Sequence, residues 1–389
     1  MTTSPIYLDH AATTPVRPEV QAAMAPFLAG TFGNPSSTHR FGRAARAALE
    51  SAREEIAAAL AALPSEVYFV RGGTEGNNLA ILGRARVAET EGRRPFVAHS
   101  AIEHSSVLGA AAEVEARGGV AARMDVGPDG VLDLGSLEVA LTRDPALVSV
   151  MWVNNEIGTV QDIPTIARRC REAGVPLHTD GVQALGKVRV RLDESPVDLA
   201  VFTGHKLYGP KGMGILFVRQ GLRLHPLVHG GGQERGLRAG TEDVASAVGL
   251  ARAVGLAVAE QESEAARLSA LTARLVAGLR ERLSDIIVFG EDGPRAPHIL
   301  NVGVCGVDGA ALLASLDLEG VAASSGSACH SGAVEASHVL RATHAGHDRI
   351  PPSLRFSVGR LSREPEIDRA IDVTIHVVER LRALAESPA

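Results

Sequence analysis

Lysine is rare in this sequence, and one lysine lies among residues that favour carbonyl chemistry. The chain has 39 lysine and arginine residues, yet lysine occurs only at Lys187, Lys206 and Lys211. A partly buried lysine amine can lose its proton and attack a carbonyl carbon, whereas an arginine side chain stays charged. In "DLAVFTGHKLYGPKG", Thr203 and His205 closely precede Lys206. Because a lysine beside a hydroxyl and an imidazole suits a Schiff base next to a phosphate-binding group, we rank Lys206 ahead of the other two.

Three more polar clusters follow predicted strands, where ligands bind in an open α/β sheet. "GGT" at 72–74 offers the N–H groups of a helix N-terminus to a phosphate, or is an ordinary strand-to-helix turn with Thr74 as N-cap. Asp180 in "HTDGVQ" could pair with a protonated ring nitrogen, or cap the following helix. The third cluster is "NNE" at 154–156.

The cysteines divide into one predicted functional thiol and two predicted structural ones. Cys170, Cys305 and Cys329 are odd in number and far apart, which argues against a disulfide framework or an intrinsic metal site. Cys329 lies in "AASSGSACHSGAVEAS", a stretch of small residues that is typical of a mobile functional loop. Cys170 lies in a predicted helix and Cys305 beside a predicted strand, so we expect both to be structural.

Composition indicates a globular protein of more than one domain. The chain has 389 residues, of which 45% are hydrophobic and 22% charged, with a net charge of −6. This length exceeds the usual size of a single hydrophobic core. No long basic run and no 18-residue apolar stretch occurs, so we expect neither nucleic-acid nor membrane binding. The start, "MTTSPIYLDHAATTP", lacks the features of a signal peptide, so we expect a cytoplasmic protein.

Short apolar strands alternate with helical stretches, which predicts an α/β fold with a mostly parallel, buried sheet. Strands are predicted at 66–70, 95–100, 146–153, 175–180, 198–204 and 213–218. Helices are predicted at 41–63, 104–116, 163–173 and from 184 onward.

The sequence changes in character near residue 250. One long helix at about 243–284 is followed by the strand-like segments "DIIVFG", "HILNVGV" and "LRFSVGR" and by a helix from about 364. This order predicts a smaller α+β domain to which the N-terminal residues return. We therefore predict a large domain at 13–255 and a small domain made of 1–12 and 256–389.

Six segments occur in an order that identifies a family. They are "TFGNPSSTHRFG", "TEGNNLAI", "VNNEIGTVQDI", "FTGHKLYGPKG", "HGGGQERGLRAGT" and "SSGSAC". Together they resemble the cysteine desulfurases, in the class V aminotransferase branch of fold-type I pyridoxal-phosphate enzymes. The resemblance extends from "IYLDHAATTP" to "LRFSVGR", over nine-tenths of the chain, and implies a mostly parallel seven-stranded sheet between helices plus a smaller α+β domain. The subgroup resembled has the longer cysteine loop and is tied to iron–sulfur cluster assembly and nitrogen fixation.

The resemblance implies a site for pyridoxal 5′-phosphate. Lys206 would hold the cofactor as a Schiff base, His104 would stack on its ring, and Asp180 would pair with the pyridine nitrogen. The remaining matching positions are Asn155 and Gln183 on the phenolic-oxygen side, with Gly73, Thr74, Thr203 and His205 at the phosphate. Thr241 matches a threonine that the family supplies from the neighbouring subunit, which implies a homodimer with composite active sites.

The resemblance also implies a site for L-cysteine. Arg355 matches the residue that binds the substrate carboxylate, and a guanidinium makes the two parallel hydrogen bonds that this requires. Asn34 and Asn155 are placed near the substrate.

The implied reaction removes sulfur from L-cysteine and yields L-alanine. Lys206 would act as general base, His104 as proton donor, and Cys329 as the thiol that receives the sulfur as a persulfide. The persulfide would pass to an iron–sulfur scaffold or another acceptor protein, so that only Cys329 would transiently contact a cluster. The chain ends at "ALAESPA", without the longer segment that some relatives use to dock a scaffold, so the acceptor is left open.

Two other interpretations remain open from the sequence. The first keeps the cofactor but makes the protein a transaminase or a selenocysteine-specific lyase. The second is a non-catalytic partner of scaffold proteins, although such a relic tends to lose its reactive residues and this chain retains Lys206 and Cys329.

Overall fold

The computed structural model describes residues 4–325, 337–344 and 350–386. Cys329 therefore lies outside the described residues. The helices are α1 (Pro18–Ala29), α2 (Arg40–Leu60), α3 (Gly73–Thr90), α4 (Ser105–Ala116), α5 (Leu134–Leu141), α6 (Ile163–Glu172), α7 (Val244–Ala259), α8 (Gln261–Arg282), α9 (Gly309–Leu318), α10 (His338–Thr343) and α11 (Glu364–Glu386). The strands are β1 (Ile6–Tyr7), β2 (Val67–Val70), β3 (Phe96–Ser100), β4 (Val120–Met124), β5 (Leu147–Ser149), β6 (Leu177–Asp180), β7 (Leu199–Thr203), β8 (Gly214–Val218), β9 (Ile286–Val288), β10 (Ile299–Val304), β11 (Val321–Ala322) and β12 (Ser353–Ser357).

A seven-stranded sheet forms the centre of the larger part, in the order β2-β8-β7-β6-β5-β3-β4. Its strands run parallel except β8, which is antiparallel to both β2 and β7. Every residue of β5, β6, β7 and β8 is buried, as expected for strands covered on both faces. The predicted α/β architecture with a mostly parallel sheet is thus confirmed.

Alternate residues of the sheet supply two hydrophobic cores, one on each face. On β7, Ala200 and Phe202 belong to a core with α2 and α7, whereas Leu199 and Val201 belong to a core with α3 and α4. The amphipathic pattern of α2 positions its apolar face in the first of these cores. The two helix layers hold the carboxyl ends of the parallel strands at one edge.

A further core belongs to the C-terminal part of the chain. It contains α8, α9 and α11 around the antiparallel sheet β12-β10-β9. Ile6 and Leu8 join this core, and β1 pairs in parallel with β11. The α+β character of this part and the return of the N-terminal residues agree with the prediction, while the domain boundaries stay predictions.

The predicted long helix at 243–284 is wrong, because the structure has two helices there. α7 and α8 meet at Glu260 with a bend of 71°. α7 packs against α1 and α2, whereas α8 packs against α11, so one straight helix could not bury both apolar faces. Among the described residues no single helix is both long and apolar enough to cross a membrane, although this bent pair meets the criterion by length and composition.

Two other differences from the predicted elements have local causes. The segment from 184 onward forms turns instead of a helix, and Gly186 adopts a φ of +72°, which a helix excludes. β4 was not predicted, because its residues are half-exposed at the sheet edge and do not form an apolar run.

A buried ion pair connects α2 to the large sheet. Both guanidinium nitrogens Nη1 and Nη2 of Arg53 lie 2.8 Å from the carboxylate oxygens of Glu234. Glu234 also accepts the N–H of Phe69 at 2.9 Å, and Arg53 donates to the carbonyl of Val67 at 2.7 Å. The two charged side chains are only 3% and 2% exposed.

We expect Arg53→Met to destabilise the fold by about 3 to 5 kcal/mol, because it leaves the carboxylate of Glu234 buried without its cation. Arg274→Met is the matched control, since the Arg274–Asp368 pair is 48% and 46% exposed and should contribute less than about 1 kcal/mol. Urea-induced unfolding followed by circular dichroism measures both. Equal losses in the two variants would contradict the prediction.

Candidate active site

A cavity of about 650 Å³ opens at the carboxyl edge of the large sheet. Most of the residues predicted from the sequence line it together: Gly73, Thr74, His104, Asn155, Asp180, Gln183, Thr203, His205, Lys206 and Arg355. They come from the ends of several strands and from β12, so the fold gathers residues that are far apart in the chain.

Lys206 ends the 3₁₀ turn that follows β7, and its amine contacts the N-terminal segment. Nζ donates to the carbonyl oxygen of Ala11 at 2.5 Å and to that of Ala12 at 2.6 Å. Burial, with a contribution from the positive charge of Arg355, lowers the pKa of Lys206 from 10.5 to about 8. The amine is therefore neutral, and nucleophilic, in a larger fraction of molecules near neutral pH than an exposed lysine would be.

Asp180 is the last residue of β6, and hydrogen bonds fix its carboxylate. Oδ2 accepts from Nδ2 of Asn77 at 2.7 Å, and Oδ1 accepts from the N–H of Val182 at 3.0 Å. Asn77 also donates to the hydroxyl of Ser106 at 2.9 Å. The alternative in which Asp180 caps a following helix predicts a local bond such as the one to Val182. However, turns and not a helix follow Asp180. Its other carboxylate oxygen belongs to the hydrogen-bond network in the cavity wall.

His104 joins the same network at the start of α4. Its Nδ1 lies 2.8 Å from the hydroxyl of Ser106 and accepts the N–H of Ser106 at 3.1 Å. His104 is therefore both the N-cap of α4 and a wall of the cavity. Because Nδ1 accepts from a backbone amide, the ring is held at a fixed orientation.

The N-terminus of α3 lines one end of the cavity, and its N–H groups suit an anion. The N-cap is Gly72 with a φ of +97°, and no described side chain caps the helix. The alternative in which Thr74 is the N-cap is therefore wrong. A Cβ atom built on Gly72 would lie 3.8 Å from the hydroxyl oxygen of Thr203. The Thr203 hydroxyl is therefore close to the first turn of α3, where the backbone N–H groups have no partner within the helix. Burial and two neighbouring lysines lower the pKa of His205 to about 4, which keeps this imidazole neutral.

Arg355 reaches the cavity from β12. Its Nη1 donates to the carbonyl oxygen of Asn155 at 2.9 Å, and its Nη2 donates to the carboxylate of Asp9 at 2.8 Å. Its Nε is buried and has no hydrogen-bond partner among the described residues. The guanidinium is thus held in place by Nη1 and Nη2, while Nε makes no hydrogen bond to a described residue.

These groups fit pyridoxal phosphate. A lysine amine, a buried carboxylate, a ring-sized imidazole and a helix N-terminus with a nearby hydroxyl all line one cavity. Each of these groups is a partner for one part of the cofactor: the amine for its aldehyde, the carboxylate for its pyridine nitrogen, the imidazole for its aromatic face, and the helix N-terminus for its phosphate.

Some predicted residues lie elsewhere. Asn34 and Thr241 do not line this cavity as the described part of one chain forms it. Oδ1 of Asn34 accepts the N–H of Ser36 at 2.9 Å in an exposed loop, and Thr241 lies beside a separate small pocket. The roles of Asn34, Thr241 and Cys329 stay predictions.

The other two cysteines lie away from the cavity. Cys170 is buried on α6, and burial raises the pKa of its thiol to about 12. Cys305 follows β10 and is half-buried. A thiol with a raised pKa is a poor nucleophile, which agrees with a structural role for Cys170.

Sequence reasoning did not assign several residues that support the site. Glu103 is fully buried and accepts the N–H of Met151 at 2.7 Å, and burial together with Asp180 raises its pKa well above the usual range. His338 lines the cavity, and its Nε2 lies 2.8 Å from the carbonyl oxygen of Glu103. The sequence could have indicated Glu103 only through its position directly before His104. His338 is remote in the chain, so no local pattern indicated it.

Comparisons with known proteins agree with this geometry. The aminotransferase class-V family matches residues 6–370. Cysteine desulfurase IscS of Dictyoglomus turgidum is 42% identical over 98% of this chain and 96% of its own length, and a cysteine desulfurase of Trichormus azollae is 44% identical over 98% and 95%.

Solved structures show the same relationship. A NifS-like protein matches with a TM-score of 0.89 and 33% identity, covering 97% of this chain and 100% of its own. SspA in complex with cysteine matches with a TM-score of 0.79 and 34% identity, covering 91% and 98%. The chain therefore belongs to the aminotransferase class-V family and, within it, to the cysteine desulfurases.

Proposed function

We propose that this protein is a pyridoxal-phosphate-dependent cysteine desulfurase that forms L-alanine and leaves the sulfur on Cys329 as a persulfide. The observation that carries the proposal is the cavity in which the amine of Lys206, the carboxylate of Asp180 and the N-terminus of α3 meet. The names of the relatives and the neighbour in complex with cysteine support the same reaction and substrate.

The residues of the cavity divide the work of holding the cofactor. When bound, pyridoxal phosphate supplies an electron sink for the charge left on the substrate when its α-proton departs. Asp180 would hold the pyridine nitrogen, and the N-terminus of α3 with Thr203 and His205 would hold the phosphate. His104, whose orientation Ser106 fixes, would cover the ring.

Substrate binding and proton transfer then follow from the same residues. Arg355 lines the cavity and binds the carboxylate of L-cysteine through its guanidinium N–H groups. Nζ of Lys206 accepts the proton from Cα, and His104 supplies a proton to Cβ.

The transfer of sulfur is balanced within the protein and its substrate. The thiolate of Cys329 attacks the substrate sulfur, the bond between Cβ and sulfur breaks, and its electron pair stays with the carbon fragment. L-Cysteine and one enzyme thiol thus become L-alanine and one enzyme persulfide. The sulfur is oxidised as the carbon is reduced, so no external redox partner is needed.

A homodimer and an acceptor protein complete the proposal. Thr241 lies outside the cavity of its own chain, which supports a role in the site of a second copy. Phe32 and Phe41 stack near Asn34 and are 69% and 42% exposed, as residues of a subunit interface would be before assembly. The name IscS of the relative from Dictyoglomus turgidum supports delivery of the sulfur to iron–sulfur assembly.

Lys206→Ala should abolish the visible absorbance of the bound cofactor, because no other lysine amine lines the described cavity. Borohydride reduction and peptide mapping of the unchanged protein should label Lys206. Lys187→Ala is the matched control, since burial also lowers the pKa of Lys187 to about 8 but that residue lines a different pocket. A label on Lys187 or Lys211 would contradict the assignment of Lys206 as the residue that holds the cofactor.

Incorporation of the cofactor into the apoprotein should speed up as the pH rises through about 8, where Lys206 loses its proton. Below that pH the neutral fraction of the amine falls roughly tenfold per unit, and above it the rate should level off. Stopped-flow absorbance measures the rate. A rate that keeps rising roughly tenfold per unit from pH 8 towards the ordinary lysine pKa of 10.5 would show that burial does not tune this amine.

Cys329→Ala should lose formation of alanine and sulfide from L-cysteine, by at least about a hundredfold, while it keeps the absorbance of the bound cofactor. Cys305→Ala is the control with an intact site, and it should retain activity because Cys305 lies away from the cavity. Desulfuration at the normal rate by Cys329→Ala would refute the proposed role of this thiol.

A further inference from the structure

Gln183 is held between two buried partners at the wall of the cavity. Its Nε2 donates to the carbonyl oxygen of Ala11 at 2.9 Å, and its Oε1 lies 3.1 Å from Nε2 of His298. Gln183 is 5% exposed and His298 is 1% exposed, so water does not compete freely for these bonds. His298 lies behind Gln183 and is not among the residues that line the cavity.

The donors and acceptors in this group allow only one arrangement. The carbonyl of Ala11 can only accept, so the amide nitrogen of Gln183 must face it and the amide oxygen must face His298. His298 must then carry its proton on Nε2. Its Nδ1 has no hydrogen-bond partner among the described residues, so none of them favours the other tautomer.

His298 remains neutral in this environment. Burial lowers its pKa well below the usual range, and the positively charged or titratable groups that face it act in the same direction: Lys187, His10, Arg355 and Lys206. A neutral imidazole has a single N–H, and the bond to Gln183 uses it.

The amide of Gln183 thereby keeps a second N–H that no described residue accepts. The carbonyl of Ala11 that accepts the first N–H also accepts from Nζ of Lys206. The orientation of this amide is thus coupled to the amine that the proposed function places on the cofactor.

We propose that His298 is a positioning residue that, together with the carbonyl of Ala11, holds the amide of Gln183 so that it offers an N–H, and not a carbonyl oxygen, to the bound cofactor. The inference rests on the proposed function, in which Gln183 serves the phenolic oxygen of pyridoxal phosphate. An N–H stabilises negative charge on that oxygen, whereas an inverted amide would oppose it. Loss of the His298 donor should therefore make the proton shared between the phenolic oxygen and the nitrogen of Lys206 harder to remove. That proton should then dissociate at a higher pH.

The test is the pH titration of the visible absorbance of the bound cofactor. His298→Leu and His298→Phe both remove the donor, and either should move the midpoint to higher pH by roughly half a unit to one unit, the size expected for one hydrogen bond. His298→Gln should restore the midpoint, because its terminal N–H can take the place of Nε2. All three variants lack the imidazole, so His298→Gln would not restore the midpoint if the shift came only from lost packing.

A double-mutant comparison checks that His298 acts through Gln183. His298→Leu should produce no further shift in a Gln183→Ala background. An unchanged midpoint in a variant that binds cofactor, or an equal shift in the Gln183→Ala background, would overturn the inference. Failure of the proposed function would look different, because the unchanged protein would then bind no coloured cofactor at Lys206.

Discussion

The contact between the amine of Lys206 and the carbonyl oxygens of Ala11 and Ala12 is the interaction on which the site depends. Carbonyl groups satisfy the N–H donors of the amine without the full negative charge that would raise its pKa. The same N-terminal segment is fixed at both ends. Ala11 donates to the hydroxyl of Ser357 at 2.9 Å, and the hydroxyl of Thr14 accepts from the N–H of Tyr208 at 2.9 Å. The reactive amine therefore has a defined position only when both parts of the fold are assembled.

The titratable groups in and behind the cavity wall differ in the charge state that their surroundings favour. Burial favours the neutral forms of Glu103 and His205, whereas Arg355 is paired with Asp9. Asn77 and Val182 donate hydrogen bonds to Asp180, so the oxygens of this buried side chain have partners in the cavity wall. A cavity arranged in this way can hold a cationic ring nitrogen at one end and an anion at the other without uncompensated charge.

The two sides of the cavity belong to different cores, and ion pairs join them. Glu260 lies at the bend between α7 and α8, where its carboxylate accepts from Arg17 at 2.9 Å and from Arg360 at 2.6 Å. The bend lets α7 pack on the large sheet and α8 on the C-terminal core. Arg355, which comes from the C-terminal sheet, thereby reaches residues at the end of the large sheet.

The sequence by itself determined the elements and residues that local spacing controls. Thr203, His205 and Lys206 leave one strand together, so their proximity follows from the chain itself, and the ordered motifs were enough to identify the family. Only the tertiary structure decided which distant groups meet. Gln183 and His298 are 115 residues apart, and the partners of Asp180 and Arg355 lie on other elements. The bend at Glu260 was likewise decided by packing, because α7 and α8 bury their apolar faces in different cores. The physical reason is that a hydrogen bond between remote buried groups forms only where the hydrophobic cores bring them together. The local sequence around each group does not determine the distance between them in the fold.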